Sequence, residues 1–371
     1  MTNTEIIYEI LKLAEEKHLD LYHDVTKRQV FDYVKTLKDI DTLTPVEFDR
    51  ELCKLFALFR DAHTFYEIPI IRLSEEIIYI QGKMYLKEDD LYHEIIEIEK
   101  MSAFDFLEEM SKLMSYEVDE YLYDCLRAGV KNAYYYQMIF GAEMLGVNIK
   151  YINQITQEIN TTFVAKQNKV DSNKKEKESN YQFKIIDRGI LYFKYKKCFE
   201  HKEYPFLQFM KEVEETVQDN KLKYYILDLR NNHGGDSEII NSFQDFIKNN
   251  KMKGVILVNN GTFSSGRTAV ARFKKLFNPI IIGEPTGGAI KSFGYSKHYE
   301  VEGKKFTVSV FKWDFSRIFG YTGAIQPDIP LEQTIEDLRE RKDRQLDIAI
   351  KYIQNKNDEN FCNNYCKNKN F

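Results

Sequence analysis

Apolar positions in the first part of the chain recur at helical spacing. The apolar residues of the first turns are Ile6, Ile7, Ile10, Leu11 and Ala14. Acidic residues separate them, which predicts an amphipathic helix and not a signal peptide. Thr44-Pro45-Val46-Glu47 combines a cap, a proline at the first helical position and a capping-box glutamate, so another helix is predicted to begin there. We expect residues 1–75 to form an N-terminal helical subdomain.

The pattern changes after this region. IIYIQGKMYL predicts two strands around Gly82, and Ser102–Lys150 predicts helices. We therefore expect residues 76–165 to form a mixed region. The segment 166–180 is polar except for Val170 and is expected to be a linker.

Strands and helices alternate in the last half of the chain. FKIIDRGILYFKY predicts a hairpin that turns at Asp187-Arg188-Gly189. Buried strands are predicted at Tyr224–Leu229, Val255–Val258 and Ile280–Ile282, with helices between them. KFTVSVFKW alternates with period two, and RQLDIAIKYI predicts a last helix. The alternation predicts an α/β core over residues 181–354, and the polar tail 355–371 is expected to be disordered.

Composition narrows the class of protein. With 43% hydrophobic and 30% charged residues, the 371-residue chain has the balance of a soluble globular protein. A net charge of −5, with both signs spread along the chain, argues against a nucleic-acid partner. No stretch approaches the roughly 18 apolar residues of a membrane span.

Cysteine usage and the first residues bear on the compartment. The five cysteines are an odd number at scattered positions, which favours a reducing compartment. Cys362 and Cys366 lack a second pair of ligands, so no metal is expected there. Met1 directly before a helix favours the cytoplasm. The alternative is an exported protein whose signal peptide has been removed.

Glycine is scarce and unevenly distributed. The chain has 17 glycines, fewer than the roughly 7% of average proteins, and twelve of them lie between Asn231 and Pro330. Glycine permits backbone conformations that other residues avoid. Function is therefore expected in this segment.

One glycine turn carries two serines. After the strand GVILVNN the chain reads Gly261-Thr262-Phe263-Ser264-Ser265-Gly266, and a helix follows. A serine at such a turn is exposed at the end of a sheet, beside backbone N–H groups that stabilise an oxyanion. The alternative is that Ser264 or Ser265 caps the helix, and this turn taken alone favours the cap.

A second glycine turn, Asp228 to Ser237, also lies between a strand and a helix. Its paired glycines, Gly234 and Gly235, let backbone N–H groups point into a cleft, although the spacing of phosphate-binding motifs is absent. Two such turns at the carboxyl ends of neighbouring strands would form one pocket.

A serine nucleophile requires a base, and the chain has seven histidines. His63 and His233 lie in polar turns beside well-defined elements. The remaining histidines are expected to be solvent-exposed; they are His18, His23, His93, His201 and His298.

Four motifs then occur in a recognisable order: DLRNNHGGDSEI, VILVNNGTFSSGRTAV, IIIGEPTGG and GAIQPDI, with FRDAHT far upstream. Over about Leu19 to Ile353 this order resembles the S41 serine peptidases, the family of the C-terminal processing and tricorn-core proteases. It is closest to members from low-GC bacteria without a well-marked PDZ domain. The resemblance implies a ClpP/crotonase-like α/β core, a degenerate PDZ-like segment within 76–165, a polypeptide substrate and no cofactor.

The resemblance also implies residue roles. Ser264 would be the nucleophile and His63 its general base. The backbone N–H of Ser265 and that of Gly234 or Gly235 would form the oxyanion hole.

The sequence departs from the family pattern in three places. Ala289 stands where the processing proteases have lysine, and Lys291 follows two positions late, so a Ser–Lys dyad is disfavoured. Tyr321 stands about where the histidine branch has a glutamate. His233 replaces a third glycine and is a further candidate for the pocket.

Another group must then orient His63 if the site is active. The candidates are Asp314, Glu284 and Asp61. The first hypothesis is a serine peptidase that forms an acyl-enzyme on Ser264. The missing glutamate motivates the alternative, a non-catalytic relative that binds peptides or other ligands. An unrelated α/β protein would require all four motifs to be coincidental.

Overall fold

The computed structural model describes residues 1–167, 179–187 and 189–355. These residues form two compact units. The first contains 1–167 and 291–314, and the second contains the described residues of 179–290 and 315–355. Arg188 of the predicted hairpin turn, most of the predicted linker and nearly all of the predicted tail lie outside the described residues. The domain boundaries expected from the sequence stay predictions.

Helices and strands alternate along both units. The helices are α1 (Asn3–Lys17), α2 (Lys27–Thr36), α3 (Pro45–Ala57), α4 (Ala103–Ser111), α5 (Asp119–Gly129), α6 (Ala133–Phe140), α7 (Phe206–Asp219), α8 (Asn241–Asn249), α9 (Ser265–Phe277), α10 (Ser316–Phe319), α11 (Ile335–Arg339) and α12 (Arg344–Gln354). The strands are β1 (Phe65–Tyr66), β2 (Glu76–Ile80), β3 (Lys83–Glu88), β4 (Leu91–Ile98), β5 (Met101–Ser102), β6 (Gly146–Ile152), β7 (Ile159–Ala165), β8 (Tyr181–Ile186), β9 (Ile190–Tyr195), β10 (Tyr224–Asp228), β11 (Lys253–Val258), β12 (Ile280–Gly283), β13 (Lys291–Val301), β14 (Lys304–Asp314) and β15 (Ile329–Pro330). The mixed α/β class predicted from the sequence is confirmed.

The N-terminal helices form where the apolar pattern predicts them. Helix α1 buries the five apolar positions of the predicted stripe. Helix α3 begins after Thr44, whose backbone N–H donates to Glu47 Oε2 at 2.9 Å, while the Glu47 N–H donates to Thr44 Oγ1. The predicted capping box is therefore confirmed. None of the helices in the described part of the chain combines the length and apolar character needed to cross a membrane.

The first unit contains two sheets. Strands β13 and β14 form a hairpin, and β14 also pairs with β1. The hairpin contributes Val301, Phe306 and Val308 to the same apolar core as α1 and α3. The other sheet has the order β2-β3-β4-β6-β7, with β5 beside β4, and α4 to α6 pack against it.

The predicted helical character of Ser102–Lys150 is wrong at its C-terminal end. Strand β6 begins at Gly146, and its residues Val147, Ile149 and Tyr151 point to the core while the residues between them do not. This period of two is the pattern of a strand. The two strands predicted around Gly82 are confirmed as β2 and β3.

The second unit is a six-stranded sheet of order β15-β12-β11-β10-β9-β8. Only the β8–β9 hairpin is antiparallel in this sheet. Helices α7 to α9 cover one face and α12 covers the other, which explains why the central strands are apolar on both sides. Because β10 and β11 are parallel neighbours, the glycine turn after β10 and the serine turn after β11 emerge at the same edge.

Candidate active site

Ser264 joins β11 to α9 in a rare backbone conformation. Its φ is +48° and its ψ is −121°, and non-glycine residues seldom adopt positive φ. Such strain concentrates at functional sites. The Ser264 side chain makes no capping hydrogen bond to α9, and the Ser265 hydroxyl donates instead to the Gly235 carbonyl at 2.6 Å. The interpretation of these serines as helix caps is therefore wrong, and the geometry is that of a strand–nucleophile–helix turn.

The paired glycines lie against this turn. A Cβ at Gly234 would stand 2.8 Å from the Ser264 Cβ and 3.2 Å from its Oγ. A Cβ at Gly235 would stand 2.3 Å from the Cys198 carbonyl oxygen. Both glycines also have positive φ, 100° and 131°. The close approach of the two turns therefore requires glycine at 234, and the close approach of the glycine turn to Cys198 requires it at 235.

Two backbone donors beside Ser264 remain unused. The Gly234 N–H donates to Asn232 Oδ1 at 2.9 Å. The N–H groups of Gly235 and Ser265 meet no acceptor among the described residues. Ser265 is the first residue of α9, where the helix leaves its N–H groups unpaired and its dipole is positive. Two such donors beside a hydroxyl can stabilise an oxyanion.

Asn232 joins the glycine turn to the serine turn, a role that the sequence reasoning missed. The residue is completely buried. Its Nδ2 donates to the Tyr195 carbonyl at 2.8 Å, and its own carbonyl accepts from the Phe263 N–H at 2.9 Å. A Cβ at Gly266 would stand 2.3 Å from the same carbonyl oxygen. The only sequence signal was its place inside a recognised motif.

An ion-pair network around the buried Asp228 supports the glycine turn at the end of β10. Arg230 donates to both carboxylate oxygens of Asp228 and of Asp343, with Nη contacts of 2.7 Å to each. Burial raises the pKa of Asp228, but the charges and hydrogen bonds of Arg230, with those of Lys194, lower it to about 2. The sequence could not reveal this network because Asp343 lies 113 residues from Arg230.

His63 lies in the first unit, on the turn that follows α3. Its carbonyl accepts a hydrogen bond from Thr307 Oγ1 at 2.8 Å, and Ser309 N–H donates to Thr64 Oγ1 at 3.0 Å. A Cβ at Gly294 would stand 3.7 Å from His63 Cε1 and 3.3 Å from the Trp313 ring. The β13–β14 hairpin therefore holds the backbone of His63 and lies beside its ring.

Asp61 organises the same turn. Its carboxylate is completely buried and accepts from the His63 N–H at 2.9 Å and the Thr64 hydroxyl at 2.6 Å. Burial raises the pKa of Asp61, but the hydrogen bond from His18, the charge of His63 and the Thr64 hydroxyl lower it to about 2. Of the three carboxylates considered for orienting His63, Asp61 is thus one that forms hydrogen bonds within the His63 turn.

His18 is the third member of this cluster. The Asp20 N–H donates to His18 Nδ1 at 2.9 Å, so Nε2 carries the proton and donates to Asp61 Oδ2 at 3.0 Å. The prediction that His18 and His93 are solvent-exposed is wrong, because their exposed fractions are 7% and 1%. His93 Nδ1 accepts from the Gln154 N–H at 2.9 Å, while its buried Nε2 lies 3.4 Å from Glu88 Oε2.

The other candidate residues have partners of their own. Glu284 Oε1 accepts from the Gln333 N–H at 3.1 Å, and its Oε2 is buried without a partner among the described residues. Asp314 pairs with Lys291 at 3.3 Å in the first unit. The Tyr321 hydroxyl accepts from the Gln326 N–H at 2.9 Å. His233 is exposed on the glycine turn.

Each half of the candidate site belongs to its own unit. Ser264, Ser265 and the two glycines lie together in the second unit, and His63 with Asp61 lies in the first. The pairing of His63 with Ser264 stays a prediction.

Comparison with known proteins shows which solved structures have a similar fold. No family model and no curated protein matches the sequence. Among solved structures, mature CPAF complexed with lactacystin is similar with a TM-score of 0.70 and 9% identity, over 98% of this chain and 99% of that one. Another structure of mature CPAF is similar with a TM-score of 0.69 and 10% identity, over 96% of this chain and 98% of that one. A putative peptidase from Parabacteroides merdae is similar with a TM-score of 0.50 and 13% identity, over 95% of this chain and 97% of that one.

These similarities extend over nearly the whole length of each chain. At 9 to 13% identity they establish the fold, and activity and residue roles require separate argument. The chain has the fold of the S41 peptidases, as its motifs predict.

Proposed function

We propose that the protein is a serine-type peptidase that hydrolyses extended polypeptides through an acyl-enzyme on Ser264. The observation that carries this proposal is the backbone of Ser264, with φ +48° and ψ −121°, next to the unused N–H groups of Gly235 and Ser265. A residue that only caps a helix needs neither the strained backbone nor the second donor. The solved structures with this fold include a putative peptidase, which supports the same reaction class.

In the proposed reaction His63 takes the proton from Ser264 Oγ as the oxygen attacks the scissile carbonyl carbon. The negative charge then develops on the carbonyl oxygen, where the N–H groups of Gly235 and Ser265 stabilise it. His63 returns the proton to the leaving amine. Water, deprotonated by His63, hydrolyses the ester and restores the serine hydroxyl.

Asp61 is proposed as the positioning residue for His63, in place of the missing glutamate. Its carboxylate holds the His63 backbone through the N–H bond of 2.9 Å. The low pKa of Asp61 keeps it ionised at neutral pH, so its charge also favours the imidazolium that forms during the reaction. His18 and Thr64 fix the carboxylate in turn.

A fluorophosphonate probe tests the nucleophile directly. The wild-type chain is expected to be labelled at Ser264, and Ser264→Ala is expected to abolish labelling. Ser237→Ala is the matched control, because that half-buried serine lies on the glycine turn and its hydroxyl donates to Glu238 at 3.0 Å. Labelling of Ser264→Ala at the wild-type rate would contradict the assignment.

The base is tested by the rate of the same reaction. His63→Ala is expected to lower the labelling rate by roughly 10²- to 10⁴-fold, the usual contribution of general base catalysis. Far-ultraviolet circular dichroism establishes whether the variant folds. An unchanged rate in a folded variant would eliminate His63 as the base.

One observation favours a second function, peptide binding without cleavage. Tyr321 stands where a glutamate is expected, and its hydroxyl bonds to the Gln326 backbone. If well-folded protein binds extended peptides but neither cleaves them nor reacts with the probe, this second function is the correct one.

A further inference from the structure

The first unit contains a large cavity that the proposed chemistry does not use. Its volume is about 840 Å³. Pockets that bind small molecules occupy roughly 300–1,000 Å³, so this cavity lies in the upper part of their range. A ligand much larger than one amino-acid side chain is needed to fill it.

The inner wall of the cavity is apolar. Four buried apolar residues line it: Leu73, Ile77, Leu113 and Met114. Helix α5 adds Tyr121, Cys125 and Ala128, which recur at the spacing of one helical face. A long alkyl chain would gain free energy by removing this surface and its own from water.

The rim of the cavity carries two cations. Arg72 lies opposite Asn132 in a β-bridge, which brings it near Lys131, the residue before Asn132. Both side chains are exposed, and neither forms an ion pair within the described part of the chain. Of the rim carboxylates, Glu76 already pairs with Lys87 at 2.8 Å, which leaves Glu75. The rim thus retains an excess of positive charge.

We propose that this cavity binds a long-chain carboxylate of the fatty-acid type. The alkyl chain would lie along the apolar wall, and the carboxylate would lie at the rim beside Arg72 and Lys131. Arginine binds carboxylates through two parallel hydrogen bonds, and the lysine adds a second positive charge. The cavity volume together with the paired cations favours this amphiphile over a neutral apolar molecule.

A ligand bound in the cavity would also affect the mobility of the His63 turn. Ala62 is buried, lines the cavity and lies between Asp61 and His63 in the chain. A bound alkyl chain would pack against the side of this turn that faces the cavity and would restrict its motion. On the basis of the function proposed above, ligand binding is expected to raise the rate of Ser264 acylation.

Fluorescence titration of the full-length chain with cis-parinaric acid tests the binding site. We expect saturable binding that hexadecanoic acid displaces and that hexadecanol displaces at least about tenfold less well, because it lacks the charge. Arg72→Glu and Lys131→Glu should each weaken binding about tenfold. Lys38→Glu is the matched control, since Lys38 is exposed in the same unit but does not line the cavity.

A second pair of variants tests whether binding depends on the open volume of the cavity. Ala128→Trp places a large ring on the cavity face of α5 and should weaken binding about tenfold or more. Tyr123→Trp is its control, because Tyr123 is on the same helix, is 46% exposed and does not line the cavity. Thermal unfolding of each variant shows whether the fold is kept.

Three results would overturn the site: no saturable binding, equal displacement by hexadecanol, or tighter displacement by a peptide with an apolar C-terminus. Coupling is measured as the fluorophosphonate labelling rate with and without saturating hexadecanoic acid. An unchanged rate in a chain that binds the acid contradicts the coupling. If the chain never reacts with the probe, the proposed peptidase function fails. The titration would still show whether the cavity binds a long-chain carboxylate.

Discussion

The serine turn and the histidine turn are built in different ways. The serine turn depends on close backbone approach: glycines at 234 and 266 leave room for the neighbouring chain, and Asn232 joins the two turns through its carbonyl and its side-chain amide. The histidine turn depends on side chains, because the Asp61 carboxylate gathers His18, His63 and Thr64. Added side-chain volume should therefore disrupt the serine turn most, and loss of the Asp61 charge should disrupt the histidine turn most.

Among changes that leave Ser264 and His63 in place, the largest effect is expected from Gly234→Ala. Its methyl group would stand 2.7 Å from the Ser265 nitrogen and 2.8 Å from the Ser264 Cβ, so the turn must move. Displacement of an oxyanion donor costs roughly 10²- to 10³-fold in rate. The fluorophosphonate labelling rate should fall by about this factor.

The control for this variant is Gly303→Ala. Gly303 also has positive φ, +77°, but a Cβ there would meet nothing within 4 Å. Both variants suffer the same kind of backbone strain, and only one suffers the collision. If both label at the wild-type rate, the steric account of the serine turn is wrong.

The sequence predicted the serine turn well because its signals are local. The glycines, the serines and the preceding strand lie within short motifs, and their order along a parallel sheet brings the turns together. The strained φ of Ser264 was beyond reach because no local pattern of residues specifies it. The linking role of Asn232 was beyond reach because it depends on a contact with Phe263, 31 residues away.

The histidine turn was predicted less completely. The sequence motif contains Asp61 and His63, but the charged neighbours of His18 in the chain wrongly predict that His18 is solvent-exposed. Its burial depends on packing with Phe293, whose ring centroid lies 4.7 Å from that of His18. The period-two pattern of β13–β14 correctly predicted strands, but such a pattern does not specify the sheet or the core that the strands join.

The next effect in size is expected from Asp61→Asn. The amide keeps the shape but loses the charge that His18, His63 and Thr64 surround, so the labelling rate should fall by about 10- to 100-fold. The free energy of unfolding should fall by about 1–3 kcal/mol, the usual cost of a disturbed buried hydrogen bond to a charged group.

A role confined to stability would leave a different signature. In that case the labelling rate of folded Asp61→Asn would match the wild type at every pH. Asp49→Asn is a useful control, because Asp49 is also buried and accepts from Tyr66 and Tyr134 hydroxyls in the first unit. It should lower stability without changing the pH dependence of labelling.

Acid should destabilise both regions over the same pH range. The pKa values of Asp61 and Asp228 are about 2 in the folded chain, below the ordinary value of 3.8. Since the folded pKa is the lower one, the stabilisation is present above about pH 4 and is lost as pH falls towards 2. Each carboxylate contributes about 2 kcal/mol by this linkage.

Urea unfolding at a series of pH values between 5 and 2 measures this loss. Asp61→Asn and Asp228→Asn should each reduce the slope of the free energy of unfolding against pH. An unchanged slope in both variants would show that neither carboxylate has a depressed pKa.

The smallest effect is expected from Lys291→Ala. This variant tests whether His63 or Lys291 is the general base. Lys291 pairs with Asp314 at 3.3 Å, and both side chains are about half exposed, so the pair contributes roughly 0–1 kcal/mol. The labelling rate should stay within about twofold of wild type if His63 is the base. A fall as large as that expected for His63→Ala would instead assign the base to Lys291, and the buried cluster around Asp61 would then serve only to hold the turn in place.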